Sequence, residues 1–308
     1  MNPIPTIIDS DAGIDDAIAI MLAAKLPQLK LVGVTSVAGN VGVDKTTHNC
    51  LRVLEFTGLD VPVYRGSAGP MFRQRVDAAF VHGADGLGGM DLPCHTHEVE
   101  GIKAWDYIYS EAVRWNGELQ LIAIGPLTNL GMAFVKYPGL PKLLKRIVIM
   151  GGSASEGNDT PAAEFNIWAD PEAADIVFCS GVPVHMCGLD VTMQAHLTPG
   201  EIDEIGKIGN PQSNFFRDVV QGILNFLSQF NFPGMHMHDP VAVLYAADDS
   251  MFEASPVGVR VETKGALTLG RTVTDLYSDA QWEKNAFIVT KIDRDAFVKK
   301  VFELMSKY

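Results

Sequence analysis

Four carboxylates, Asp9, Asp11, Asp15 and Asp16, fall within eight residues in the segment Ile7-Ile8-Asp9-Ser10-Asp11-Ala12-Gly13-Ile14-Asp15-Asp16. Like charges this close repel unless a cation neutralises them or one of them keeps its proton. Carboxylate oxygens are hard ligands, so the cations that suit them are Ca²⁺ and Mg²⁺. Helix capping is the competing reading. A helix dipole favours carboxylates in its first turn by roughly 0.3–1 kcal/mol each, which accounts for Asp15 and Asp16 better than for Asp9 and Asp11. The spacing is not that of an EF-hand loop, whose alternating ligands and closing Glu are missing. Far along the chain, His238-Asp239-Pro240 sets a carboxylate beside a histidine. By itself Asp239 reads as a helix N-cap before proline. Asn40, Asn158 and Asn166 alone read as turn residues.

The elements that must position these groups are legible from periodicity. Short Val- and Ile-rich runs at 6–8, 29–35, 119–124, 146–150 and 182–187 are bounded by Gly, Pro or polar residues, as buried strands are. Ile14, Ala17, Ile18, Met21 and Leu22 recur at helical spacing and define one helix face. Residues 43–57, 102–115, 127–136, 170–179 and 211–231 also read as helices. Residues 65–101 and 151–168 read as long Gly-rich loops, and loops of that length in a compact domain are usually functional. The end, 251–308, reads as a hairpin-like pair of strands followed by a helix near 293–306. Alternating β and α segments predict an α/β fold with a mostly parallel central sheet flanked by helices. In such sheets the site lies at the carboxyl ends of the strands, where the first acidic cluster falls.

Bulk properties narrow the function. The 308 residues are 47% hydrophobic and 20% charged, a globular composition, and no linker divides them, so one domain over 1–308 is expected. A formal net charge of −13 disfavours nucleic acid and anionic membrane as partners. Cys50, Cys94, Cys179 and Cys187 show no C-x-x-C pairing and read as free thiols of a reducing compartment. The start has no basic region or long apolar region of a signal peptide, and no apolar run approaches the ~18 residues of a membrane span. A soluble cytoplasmic protein is the expectation.

The acidic segment resembles the Asp-x-Asp-Pro-Gly-x-Asp-Asp signature of the inosine–uridine-preferring nucleoside hydrolases, with Ala12 in place of the signature's proline. That replacement is expected to loosen the turn without removing a ligand. Further segments resemble the family in order: Val37-Ala38-Gly39-Asn40, Val81-His82-Gly83 with Asp85-Gly86-Leu87-Gly88, Ile124-Gly125-Pro126-Leu127-Thr128-Asn129, Met150-Gly151-Gly152, Asn158 through Asn166, Ala169 through Ala174, Cys187 through Thr192, and Met237-His238-Asp239-Pro240. The similarity runs from about residue 5 to 300 and is nearest to the non-specific ribonucleoside hydrolases.

The resemblance implies Ca²⁺-dependent hydrolysis of the N-ribosidic bond of purine or pyrimidine ribonucleosides, to free base and ribose, in nucleoside salvage. It implies that Asp11, Asp16, Asp239 and the main-chain carbonyl of Ile124 hold the ion, and that Asp11 takes a proton from the attacking water. Asp15 and Asn166 would bind the ribose 2′- and 3′-hydroxyls, Asn158 and Glu164 the 5′-hydroxyl, and Asn40 would orient the acidic cluster and the sugar. Asp9 would act from behind the ligands. His238 is the candidate acid for the leaving base, since histidine titrates near neutral pH, and His82 a candidate base contact. Phe226 and Phe230 stand near positions where relatives carry polar groups, which leaves His236 as a polar substitute. A homodimer or homotetramer is implied. Two other readings stay open. One is a Mg²⁺-dependent phosphatase of the haloacid-dehalogenase type, against which Ala12-Gly13-Ile14 after the second Asp argues. The other is a non-catalytic nucleoside- or ribose-binding protein.

Overall fold

Ile7 and Ile8 are adjacent in sequence and fully buried, yet they join apolar clusters on opposite faces of one sheet. Successive strand side chains point to opposite faces, so a strand covered on both sides reads as a continuous apolar run. The computed structural model describes residues 2–227, 234–277 and 281–308. The chain runs β1 (Ile4–Ser10), α1 (Ile14–Ala24), β2 (Leu29–Ser36), α2 (Val43–Thr57), β3 (Val63–Arg65), α3 (Ala79–His82), α4 (Ala104–Trp115), β4 (Leu119–Ala123), α5 (Thr128–Lys136), β5 (Leu144–Met150), α6 (Phe165–Ala169) and α7 (Pro171–Phe178). It continues through β6 (Val184–Cys187), α8 (Leu189–Thr192), β7 (His196–Leu197), α9 (Pro199–Gly206), α10 (Pro211–Leu227), β8 (Met235–His236), α11 (His238–Ala247), β9 (Phe252–Val261), β10 (Thr272–Asp275), β11 (Ala286–Ile292) and α12 (Arg294–Met305).

The sheet is nine-stranded, in the order β10-β9-β11-β6-β5-β4-β1-β2-β3. All pairings from β11 to β3 are parallel, and β9 adds antiparallel to β11. The expected mostly parallel α/β sheet is therefore the observed one. After β3 the chain crosses back over β2 and β1 to form β4 on the other side of β1. Such a reversal opens a crevice at the strand ends, where ligands of doubly wound sheets bind. The acidic segment follows β1, and Ile124 follows β4, so both border that crevice.

Three readings change. Helix α1 is not amphipathic in its surroundings: Ile14 through Ala23 are all buried, because α2, α10, α11 and α12 pack around it. A helix apolar all round belongs in a core. The 65–101 loop also carries structure, since β3 ends at its start, α3 lies within it, and Tyr64 bridges Glu100. The C-terminal stretch holds three strands where a pair was expected, because β9 pairs with both β10 and β11. Among the described residues no helix is long and apolar enough to cross a membrane.

Candidate active site

β1 ends at Ser10 and α1 begins at Ile14, so Asp11, Ala12 and Gly13 form the whole turn between them. Ala12 has φ +38°, in the left-handed region that non-glycine residues seldom occupy. A proline ring, fixed near φ −65°, cannot take that conformation. The turn is therefore one that the signature's proline would not allow. Gly13 has its own reason. A Cβ there would lie 2.4 Å from Asn40 Nδ2 and 2.6 Å from His82 Nδ1, so glycine alone lets both side chains approach.

α11 brings in the distant carboxylate. Its N-cap is Met237, which places Asp239 in the first turn and frees it from the capping role read from sequence alone. Two helix N-termini, those of α1 and α11, thus present carboxylates to one place. Carboxylate oxygens of Asp15, Asp16 and Asp239 lie within 4.8 Å of one another. Asp15 therefore stands with the cation-holding candidates, although the resemblance gave it to the sugar. Asp11 is 1% exposed; its Oδ2 accepts the Asn40 amide at 2.7 Å and its Oδ1 is buried with no partner among the described residues. Asp16 accepts from Ser10 Oγ at 2.6 Å, Gly13 N at 2.9 Å and Asn40 Nδ2 at 3.2 Å. Asn40 thus hydrogen-bonds two carboxylates at once, Asp11 through its main-chain amide and Asp16 through its side chain.

Burial and mutual repulsion dominate the electrostatics. Desolvation pushes Asp11 and Asp239 well above the ordinary carboxylate range, with neighbouring carboxylates adding to it. Burial raises Asp15 to about 6, and burial followed by the charge of Asp15 raises Asp16. Behind them, Asp9 accepts from Thr35 Oγ1 at 2.5 Å and Asn129 Nδ2 at 2.7 Å, and burial lifts it to about 7. Buried carboxylates this close, one with an orphaned oxygen, are the donor set a hard divalent cation satisfies. The residues fit such an ion.

Asp11, Asp15, Asn40, His82, Ile124, Asn158, Glu164, Asn166, His238 and Asp239 all line one cavity of ≈ 250 Å³. Asp16 is fully buried and joins the lining through Asn40, which donates to it. Asn166 donates Nδ2 to the carbonyls of Ile124 (3.2 Å) and Met150 (3.1 Å). Glu164 caps α6: Oε1 accepts from Asn166 N, and Oε2 from Gly152 N and Ile167 N. A carboxylate offers about four acceptor positions, so one remains for a ligand hydroxyl. Burial holds Glu164 near 7. Asn158 Oδ1 accepts the Phe165 amide at 3.0 Å, which braces the loop.

The two histidines that line the cavity are both held neutral. His82 Nδ1 accepts the Ile14 amide at 3.1 Å, so its proton sits on Nε2; burial lowers its pKa. His238 Nδ1 lies 2.8 Å from Thr192 Oγ1, and burial with the neighbouring His236 and His82 lowers it to about 3. The expected acid is thus a neutral imidazole in this setting. His236 is buried, with its ring 6.0 Å from those of both His238 and His196. The Phe226 side chain and Phe230 lie outside the described residues. Phe80 was not singled out from sequence, yet it lines the cavity and is 74% exposed. Its signal was available, since it is two residues from His82 in a loop already marked as functional.

A family model described as inosine-uridine preferring nucleoside hydrolase matches residues 6–299. The chain belongs to this family. The hydrolase is 40% identical over 306 residues to the non-specific ribonucleoside hydrolase RihC of an Escherichia coli strain, covering 98% of each chain. It is 38% identical over 307 residues to the pyrimidine-specific ribonucleoside hydrolase RihA of a Shewanella strain, covering 99% of this chain and 96% of that one. Its fold superposes on the purine-preferring ribonucleoside hydrolase from Gardnerella vaginalis with a TM-score of 0.93, at 30% identity and 98% coverage of both. The hydrolase is thus an enzyme of the nucleoside N-ribohydrolase class, which sets aside the phosphatase and non-catalytic readings.

Proposed function

We propose that this enzyme hydrolyses purine and pyrimidine ribonucleosides in a Ca²⁺-dependent reaction, as a single domain spanning 1–308. The observation that carries the reading is the convergence of buried Asp11, Asp15 and Asp239 on one cavity, with carboxylate oxygens of Asp15, Asp16 and Asp239 within 4.8 Å of one another. Asp11, Asp16, Asp239 and the Ile124 carbonyl would hold the ion, with Asp15 beside them. When bound, it would offset the carboxylate charge and supply Lewis-acid activation of a water.

The chain's own groups then divide the work. Asp11 Oδ1, which has no partner among the described residues, accepts the proton of the attacking water. Asp15 and Asn166 take the ribose 2′- and 3′-hydroxyls, and a deoxyribonucleoside would leave those polar groups unpaired. Asn158 and the remaining lone pair of Glu164 take the 5′-hydroxyl. The base end works differently. His82 Nε2–H donates a hydrogen bond toward the base, and neutral His238 eases the base's departure as a hydrogen-bond donor. Charge need not build up on a full imidazolium.

Nucleoside salvage in the cytoplasm is the physiological setting proposed, as a homodimer or homotetramer. Phe72, Leu267, Leu276 and Tyr277 stand largely exposed, and apolar surface of that kind suits a subunit contact. The test is a panel of inosine, adenosine, guanosine, uridine, cytidine and 2′-deoxyinosine, each with and without chelator. Ribonucleosides are expected to yield base and ribose, deoxyinosine almost none, and chelator should stop turnover. Equal turnover with chelator present would refute the cation reading.

A further inference from the structure

We propose that Ser10 is a positioning residue that aims the Asp16 carboxylate, and that it does so only because residue 12 keeps a free N–H in a left-handed turn. The inference rests on the reading of Asp16 as a cation ligand. The Ala12 amide lies 3.0 Å from Ser10 Oγ. An amide N–H can only donate, so Ser10 Oγ is the acceptor there. Its single proton is left for Asp16 Oδ1 at 2.6 Å. The relay therefore has a fixed direction: Ala12 N–H to Ser10 Oγ–H to Asp16. The other Asp16 oxygen takes Gly13 N–H and Asn40 Nδ2.

This turn is held from several sides. Ser10 pairs in register with Ser36, and its carbonyl accepts the Val37 amide at 3.0 Å, so it cannot drift from the end of β1. The Ala12 carbonyl accepts Asn49 Nδ2 at 3.1 Å from α2, and Ala12 is 1% exposed. Buried groups so bonded can sustain an unfavourable φ, because the surroundings over-determine it. Proline at position 12 would break the arrangement twice. It has no N–H to hold Ser10, and its ring forbids φ +38°. A substitution toward the family signature is thus one this turn rejects.

The experiment is a Ca²⁺ titration of the metal-free chain, read by the rise in Tm beside steady-state kinetics with inosine and uridine. Ser10→Ala is expected to weaken Ca²⁺ binding about tenfold or more, with kcat falling more than KM rises. Ser10→Thr, which keeps the hydroxyl, should return within about threefold of wild type. Ala12→Gly keeps the N–H and accepts the left-handed φ, so it should bind as wild type does. Ala12→Pro should lose the Ca²⁺-induced shift. A Ser10→Ala chain with wild-type Ca²⁺ affinity overturns the role of Ser10, and an Ala12→Pro chain with wild-type affinity overturns the role of the turn. No Ca²⁺ shift in the wild-type chain overturns instead the cation reading beneath both.

Discussion

The two ends of the cavity are built on opposite principles. At the proposed sugar end, Asp11, Asp15, Asp16, Asp239, Glu164, Asn40 and Asn166 are buried, and backbone amides of Gly13, Asn40, Gly152, Asn166 and Ile167 hold three of the carboxylates. Asp16 takes three donors, and Glu164 takes three amides. At the proposed base end, Phe80 stands 74% exposed on the four-residue helix α3, and His82 touches α1 through one amide hydrogen bond. A preorganised charge site gains from rigid support, whereas a surface that meets different bases gains from adjustability. Relatives sharing the family bear names that differ in base, non-specific, pyrimidine-specific and purine-preferring. Under the proposed function, the reaction belongs to the first end and the choice of base to the second.

The largest effect should come from the rigid end. Asp11→Asn is expected to lower kcat by about 10²–10⁴-fold while circular dichroism stays native, since the swap removes a base and one of several repelling charges but little volume. Near-normal turnover in that variant would falsify the proposed base. At the base end, His238→Ala should cost less, about tenfold to a hundredfold in kcat, and unequally among nucleosides because bases differ in how readily they leave. A uniform loss across the panel would erase the contrast between the ends. Phe80→Ala should be milder still. Stacking on a base is worth roughly 1–3 kcal/mol; Phe80 is largely exposed, so the low end applies, and a change in KM of about fivefold, varying with the base and leaving kcat nearly level, is the expected outcome.

A residue away from the cavity supplies the smallest effect and a control. His185 on β6 stacks on Phe287 and pairs with the Tyr245 hydroxyl at 2.8 Å; burial lowers it from 6.5 to about 4. The unfolded chain therefore binds more protons than the folded one between those values. Stability is kept above pH 6.5 and declines as pH falls toward 4. Thermal melts of His185→Gln across that window should show a flatter decline than wild type. If both melt in parallel, acid sensitivity arises elsewhere.

Much of the site was legible because its chemistry is written in types and spacing. Four aspartates in eight residues demand a neutraliser whatever the fold. Burial on both faces made the strands readable as Val- and Ile-rich runs. The dihedral of Ala12 was not legible, for nothing in an Asp-Ala-Gly string announces a left-handed alanine. Ser10 holds its N–H and Asn49 its carbonyl, and Asp16 holds the next amide, that of Gly13. The neutrality of His238 was hidden as well, since its cause is burial beside His236 and His82 and not its own identity. The full burial of α1 depended on α10, α11 and α12, more than 180 residues later in the chain.

The most direct measurement is a diffraction study of crystals grown in excess Ca²⁺, with the ion located by its anomalous signal. The result expected is one ion between the β1–α1 aspartates and Asp239, in reach of the Ile124 carbonyl. A cavity free of any ion at saturating Ca²⁺, its aspartates turned from one another, would contradict the central claim.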